Sequence, residues 1–273
     1  MSFTRCSAVL LFGLFLASCS NTPTSPSSTG APQPSATATA TVTAADIGVA
    51  IPPGITIAPP RALGVTRFVA FGDSITWGAT SAWFSANMFF ASANGGYPER
   101  LAANLTFAHT PQPITMFNDG LPGELAVNAL PRFRTMLSTR RPGAVLLLEG
   151  INDLSNAISV SRTIGGLRAL LDAAAAQDVP VLLATMYQTY EEVDPDGHFR
   201  SNGAAFVPAF NVEVRKLVLG RANVFLVDLE PVMANRALVG KDGIHLEDAG
   251  FDVMAARFQS VIDAVFPVRG SFQ

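Results

Sequence analysis

Cysteine is almost absent from this chain: Cys6 and Cys19 are the only two in 273 residues. Both lie close to the N-terminus, which excludes a disulfide framework or a cysteine metal site in the rest of the chain. Charge is scarce too, with 14% charged residues and a formal net charge of -3. That balance lacks the clustered Lys and Arg of a nucleic-acid surface, so nucleic acid is not an expected partner. What the chain has in quantity is apolar side chains, 49% of the total. They suffice for a sizeable core in one large domain.

The N-terminus reads as a targeting segment rather than as part of the fold. Residues 1–5 give a short positive start, and residues 8–16 form an apolar run too short to span a bilayer. The run ends in Leu16-Ala17-Ser18-Cys19, which resembles the bacterial lipobox. The resemblance implies a signal peptide over 1–18, cleavage before Cys19 and a lipid on that cysteine. An ordinary secretory signal cut at the same place, with Cys19 a bystander, is the blander alternative. The expectation is therefore an exported protein, lipid-anchored to a bacterial cell envelope, with the membrane as a partner through that anchor. Loss of Arg5 with the signal would leave 17 basic against 21 acidic residues, a charge of -4. Residues 19–63 are rich in Pro, Ser, Thr and Ala, and between Ser20 and Pro60 the only charge is Asp46. Such a composition cannot bury enough surface to offset chain entropy, so a mobile linker is expected there.

From residue 64 to 273 strand-like and helix-like patterns alternate. Apolar strand candidates are 67–71, 114–117, 144–148, 179–184 and 223–227. Helical stretches are 98–104, 124–137, 160–177, 206–219 and 247–266, with Pro131 expected to kink or split the second. Strands this apolar imply burial on both faces, and the alternation implies a parallel sheet covered by helices. The predicted fold class is α/β: a three-layer α/β/α sandwich around a five-stranded, mostly parallel sheet.

Open parallel sheets gather their sites at the carboxyl ends of the strands. Four short motifs fall at such places: Gly72-Asp73-Ser74-Ile75, Asn118-Asp119-Gly120-Leu121-Pro122-Gly123, Gly150-Ile151-Asn152-Asp153 and Asp242-Gly243-Ile244-His245. Singly, each is an ordinary turn or helix cap. Together they supply complementary chemistry. Ser74 is a nucleophile only if a base takes its proton. His245 suits that task, because imidazole titrates near neutrality. Asp242 can accept the other ring N–H and fix the tautomer. Backbone N–H groups of Ser74 and Gly123 and the side-chain amide of Asn152 could then receive the oxyanion.

These motifs resemble the set for which the SGNH hydrolases, or GDSL esterases, are named, over some two hundred residues from Arg67 onward. The resemblance implies a flavodoxin-like sheet and a serine hydrolase with Ser74, Asp242 and His245 as its triad. It also implies an oxyanion hole of Ser74, Gly123 and Asn152. Ile75 stands where the family name has Leu, a change without chemical consequence. The expected substrate is a small-molecule or glycan ester, and no cofactor or metal is implied. A carboxylic ester hydrolase, an O-acyltransferase or carbohydrate deacetylase, and a non-catalytic binding lipoprotein on the same scaffold are the readings to separate.

The other titratable residues read more plainly. His109 and His198 are expected in solvated loops, as are Glu191, Glu192, Asp194 and Asp196, whose spacing is not that of a calcium loop. Asp73, Asp119 and Asp153 are expected to brace loops through backbone hydrogen bonds, and Glu149 to pack or cap. The uncharged stretch 79–96, with Trp83, Phe84, Met88, Phe89 and Phe90, is either core or the wall of an acyl pocket.

Overall fold

The computed structural model describes residues 62–80, 90–193, 199–200 and 203–268, all within the unit Ile57–Gln273. Its sheet is built from the apolar runs. Strand β1 (Arg67–Gly72) buries every residue after Arg67, and β3 (Ala144–Leu148) and β4 (Val181–Ala184) bury all of theirs. Strands β2 (Thr115–Gly120) and β5 (Val224–Val227) hold the two edges and are only part-buried. All neighbours pair in parallel, in the order β2-β1-β3-β4-β5. This is the flavodoxin-like order, in which the chain reverses direction across the sheet between β1 and β3.

Helices flank the sheet. They are α1 (Ser74–Trp77), α2 (Tyr97–Ala108), α3 (Leu130–Arg140), α4 (Ile151–Ser155), α5 (Val160–Ala175), α6 (Val207–Val218) and α7 (Asp248–Val265). The α2–α7 pair forms one layer, and α3, α5 and α6 pack in a row as the other. Phe68 and Phe71 sit an odd number of residues apart on β1 and so serve opposite layers. Phe68 lies 6.3 Å from the ring of Phe266 at the end of α7, and Phe71 meets Phe133 of α3 edge-on at 4.9 Å. Tyr97 and Phe258 stack at 4.9 Å to join α2 to α7.

Two details differ from the sequence reading. Residues 124–129 are not helical, and Pro131 neither kinks nor splits a helix: it stands in the first turn of α3. Proline fits there because that position has no intrahelical use for an N–H. The fold also takes in residues just ahead of the expected boundary at 64. Leu63 is buried, bridges Pro267, and is clasped by Gln112, whose amide donates to its carbonyl at 2.6 Å and accepts from its N–H at 2.8 Å.

Candidate active site

Ser74 is the first residue of α1, set against the end of β1 by the N-cap residue Asp73, whose carboxylate accepts from the N–H of Ile75 at 2.9 Å. His245 reaches it from the loop between β5 and α7. A bridge between Val239 and Leu246, with Gly240 donating to the His245 carbonyl at 2.7 Å, ties that loop into a closed turn. Two tyrosines beneath fix its height: the Tyr187 hydroxyl donates to the Ile244 carbonyl, and the N–H of Tyr190 donates to Gly243 at 2.8 Å.

Within that turn Asp242 serves both backbone and ring. Its Oδ1 accepts from the N–H groups of Ile244 (3.0 Å) and His245 (2.9 Å), and its Oδ2 lies 2.6 Å from His245 Nδ1. Burial opposes the Asp242 charge. The bonds from His245 and the backbone outweigh it and hold the carboxyl below its ordinary range. An anionic Asp242 places the ring proton on Nδ1, leaving Nε2 to accept from Ser74 Oγ at 2.8 Å. Ser74 and His245 are both buried, at 4% and 8% exposure, so this relay is shielded from bulk water.

Gly123 and Asn152, the remaining residues of the sequence reading, stand in the loop after β2 and in α4. Gly123 is exposed, with φ +79°, and a Cβ there would meet nothing within 4 Å. The left-handed conformation is what calls for glycine. Asp153 holds the following turn by accepting from the N–H groups of Ala126 (2.7 Å) and Val127 (3.2 Å). Asn152, in the first turn of α4, donates through Nδ2 to the Glu124 carbonyl (3.0 Å) and to Asp73 Oδ2 (3.3 Å). The amide of Asn152 is thus tied to the neighbour of Gly123 and to the neighbour of Ser74.

Arg132 had no motif to announce it and is what locks Glu124 to the sheet. Its guanidinium takes Glu124 in a two-point fork, with Nε to Oε1 at 2.7 Å. It also donates to the carbonyls of Asp119 (2.7 Å) and Gly72 (3.3 Å) and lies 3.7 Å over the Phe71 ring. Its only sequence signal was an Arg in the first turn of a helix, which any solvated residue would share. Around it stand buried acids. Burial, with repulsion from Glu124 and Asp153, pushes the Asp73 carboxyl up to about 6, against the pull of the Ile75 N–H and of His245. Burial and the nearby Asp73 and Glu124 push Glu149 well above the carboxylate range.

Several plainer expectations change. His109 is not a solvated loop residue: it ends α2, is 7% exposed, and pairs through Nε2 with Asp263 of α7 at 2.9 Å. Asp119 braces no loop by backbone bonds but pairs with Arg140 at 3.0 Å. Asp153 does brace its loop. Glu149 is buried, as packing requires, but does not cap α4, since Gly150 begins that helix without a side-chain bond and among the described residues no N–H group reaches the Glu149 oxygens. Residues Ala79 and Thr80 pair with Ala91 and Phe90 as a short hairpin. The aromatic stretch between them, 81–89, lies outside the described residues, as do Cys19, His198, Asp194 and Asp196. Among the described residues, no three His, Cys, Asp or Glu come together as a metal site would require.

Comparison with known proteins bears on the family and the fold. Residues 70–253 match the sequence model of the GDSL-like lipase/acylhydrolase family. No curated protein matches the chain. Similar solved structures include an acetyl xylan esterase variant from Geobacillus stearothermophilus, at 18% identity and TM-score 0.59, covering 77% of this chain and 99% of that one. A psychrotrophic esterase from Pseudoalteromonas sp., inhibited by monoethylphosphonate, is 16% identical with TM-score 0.56, covering 73% and 97%. An α/β hydrolase enzyme from the metagenome of Lake Arreo, Spain, is 23% identical with TM-score 0.57, covering 75% and 98%. At these identities the likeness is one of fold.

Proposed function

Because the chain belongs to the GDSL-like lipase/acylhydrolase family, we propose that it is a serine ester hydrolase acting through an acyl-serine on short- to medium-chain carboxylic esters. One observation carries the reading: the unbroken relay Ser74–His245–Asp242, with links of 2.8 and 2.6 Å. A hydroxyl in that position passes its proton to His245 Nε2 as Oγ bonds to the ester carbonyl carbon. The carbonyl oxygen becomes an oxyanion, received by the N–H groups of Ser74 and Gly123 and by the Asn152 amide, which gives up its 3.3 Å bond to Asp73 to do so. Collapse breaks the bond to the alcohol, which leaves with the proton from His245. Water then gives a proton to the same nitrogen and attacks the acyl carbon. The acid departs and Ser74 recovers its proton.

A second reading, an esterase removing acetyl groups from glycans, is favoured by the acetyl xylan esterases among the similar structures. Transfer of the acyl group to a sugar hydroxyl would use the same residues. The lipobox-like sequence at Cys19 supports placing this activity at a bacterial cell envelope, on a lipid anchor.

A fluorophosphonate probe tests the reading. It should label the wild type and not Ser74→Ala, whose kcat should fall by at least ~10³-fold. Labelling of the alanine variant would assign the nucleophile elsewhere, and an unlabelled wild type would favour a binding protein.

A further inference from the structure

The parallel register sets Gly72 beside Leu148, so the next residues, Asp73 and Glu149, are neighbours at the carboxyl edge of β1 and β3. Glu149 is 2% exposed, and among the described residues no N–H group reaches either of its oxygens; the side chain close enough to share a proton with it is another acid, Glu124. The titratable groups facing it come from every side: Asp73 from the β1–α1 turn, Glu124 from the loop after β2, Arg132 from α3 and Tyr97 from α2. Arg132 is the only cation among them, and its hydrogen bonds go to Glu124, Asp119 and Gly72, none to Glu149. With all three acids ionised, this pocket would hold three negative charges against one positive. It would hold them directly behind the groups that must receive an oxyanion. A buried carboxylate without a donor is far more costly than a buried neutral acid.

We propose that Glu149 sets the alkaline limit of the oxyanion hole: it is carried as the neutral acid in the working enzyme and damages the hole when it ionises. The proposal rests on the hydrolase reading above. Asn152 is held at one end by Asp73 and at the other by the Glu124 carbonyl, while Glu124 is held by Arg132. A charge on Glu149 repels Asp73 and Glu124, draws Arg132 from its fork, and adds negative potential where negative charge must develop. Each effect acts on the transition state rather than on ester binding, so the loss falls on kcat and leaves KM nearly unmoved. Burial and the neighbouring carboxylates place that ionisation on the alkaline side of the usual carboxylate range.

The test is a kcat and KM profile from about pH 6 to about pH 10 on a chromogenic butyrate ester, for wild type and Glu149→Gln. Wild type should lose kcat at the alkaline end. Glu149→Gln, which mimics the neutral acid, should keep the neutral rate within about threefold and lack that loss. A wild type flat to the alkaline limit, or a Gln variant with the wild-type limb, overturns the proposal. A Gln variant depressed equally at every pH does so too, because it would show packing alone. If Glu149→Gln does not fold, carbon NMR of wild type labelled at glutamate carboxyls decides. One carboxyl should remain protonated at neutral pH, and titration of all of them in the ordinary range refutes the assignment. That measurement needs no turnover. Absence of any Ser74-dependent hydrolysis would sink the hydrolase reading while still reporting the state of Glu149.

Discussion

Asn152 shows how one side chain serves both geometry and charge. Its amide bonds to Asp73 and to the Glu124 carbonyl, and under the proposed function it is also an oxyanion donor, so Asn152→Ala should lower kcat by roughly 10²–10³-fold, as for one such donor elsewhere. A raised KM at unchanged kcat would make it a substrate contact instead. Asp73 has a different signature. Its carboxyl is pushed from 3.8 to about 6, so between those values the folded protein holds a proton that the unfolded chain releases. The stability linked to Asp73 is therefore fullest below pH 3.8, declines as pH rises to about 6, and is level above. At about 1.4 kcal/mol per unit the decline amounts to about 3 kcal/mol. Urea unfolding across that range should show it, and Asp73→Asn should flatten the slope. An Asn variant with the wild-type slope would move the titration to another group.

Among the elements, α5 carries the clearest experiment, because it contains two adjacent glycines in different surroundings. A Cβ on Gly166 would lie 2.6 Å from the Ala126 carbonyl, in the turn that follows Gly123, whereas a Cβ on Gly165 would meet nothing within 4 Å. Alanine is preferred to glycine in helices by about 1 kcal/mol. Gly165→Ala should therefore leave activity intact and raise the melting temperature. Gly166→Ala should lower both, since it pushes backbone that Asp153 holds in place. Equal behaviour of the two variants would show that α5 does not set the position of the Gly123 loop. The same turn lies in the stretch 124–129, which is not helical. Its N–H groups at Ala126 and Val127 are spent on Asp153, a partner far away in sequence.

For the whole molecule, the segment around 79–96 and the N-terminal region set the expectations. The first is uncharged and aromatic and begins just after Ser74. If it walls the acyl pocket, each buried methylene adds about 0.8 kcal/mol, nearly fourfold. The kcat/KM of p-nitrophenyl esters should then rise from acetate to about butyrate or hexanoate and fall beyond. Phe89→Ala should flatten the rise. A steep preference for acetate would point to the glycan deacetylase reading. Independently, Cys19→Ala should abolish incorporation of radiolabelled palmitate, while a chain starting at residue 57 should keep its esterase activity. Palmitate in the Cys19 variant would end the lipobox assignment.

The alternation of apolar strands and amphipathic helices was enough, from sequence alone, to define a parallel α/β sandwich, because burial on both faces leaves a continuous apolar run that little else produces. The four motifs were legible for the same local reason: each is a turn at a strand end, and each carries side chains with a distinct chemical use. Ser74, Asp242 and His245 could therefore be named before their 2.8 and 2.6 Å links were seen. Only the tertiary structure decided what stands behind them. Arg132 became the clamp on Glu124, His109 a partner of Asp263, and Glu149 an acid that no N–H group among the described residues reaches. None of these follows from residue type or spacing. An Arg, a His or a Glu takes its role from the groups that burial and strand register bring against it, and those come from distant parts of the chain.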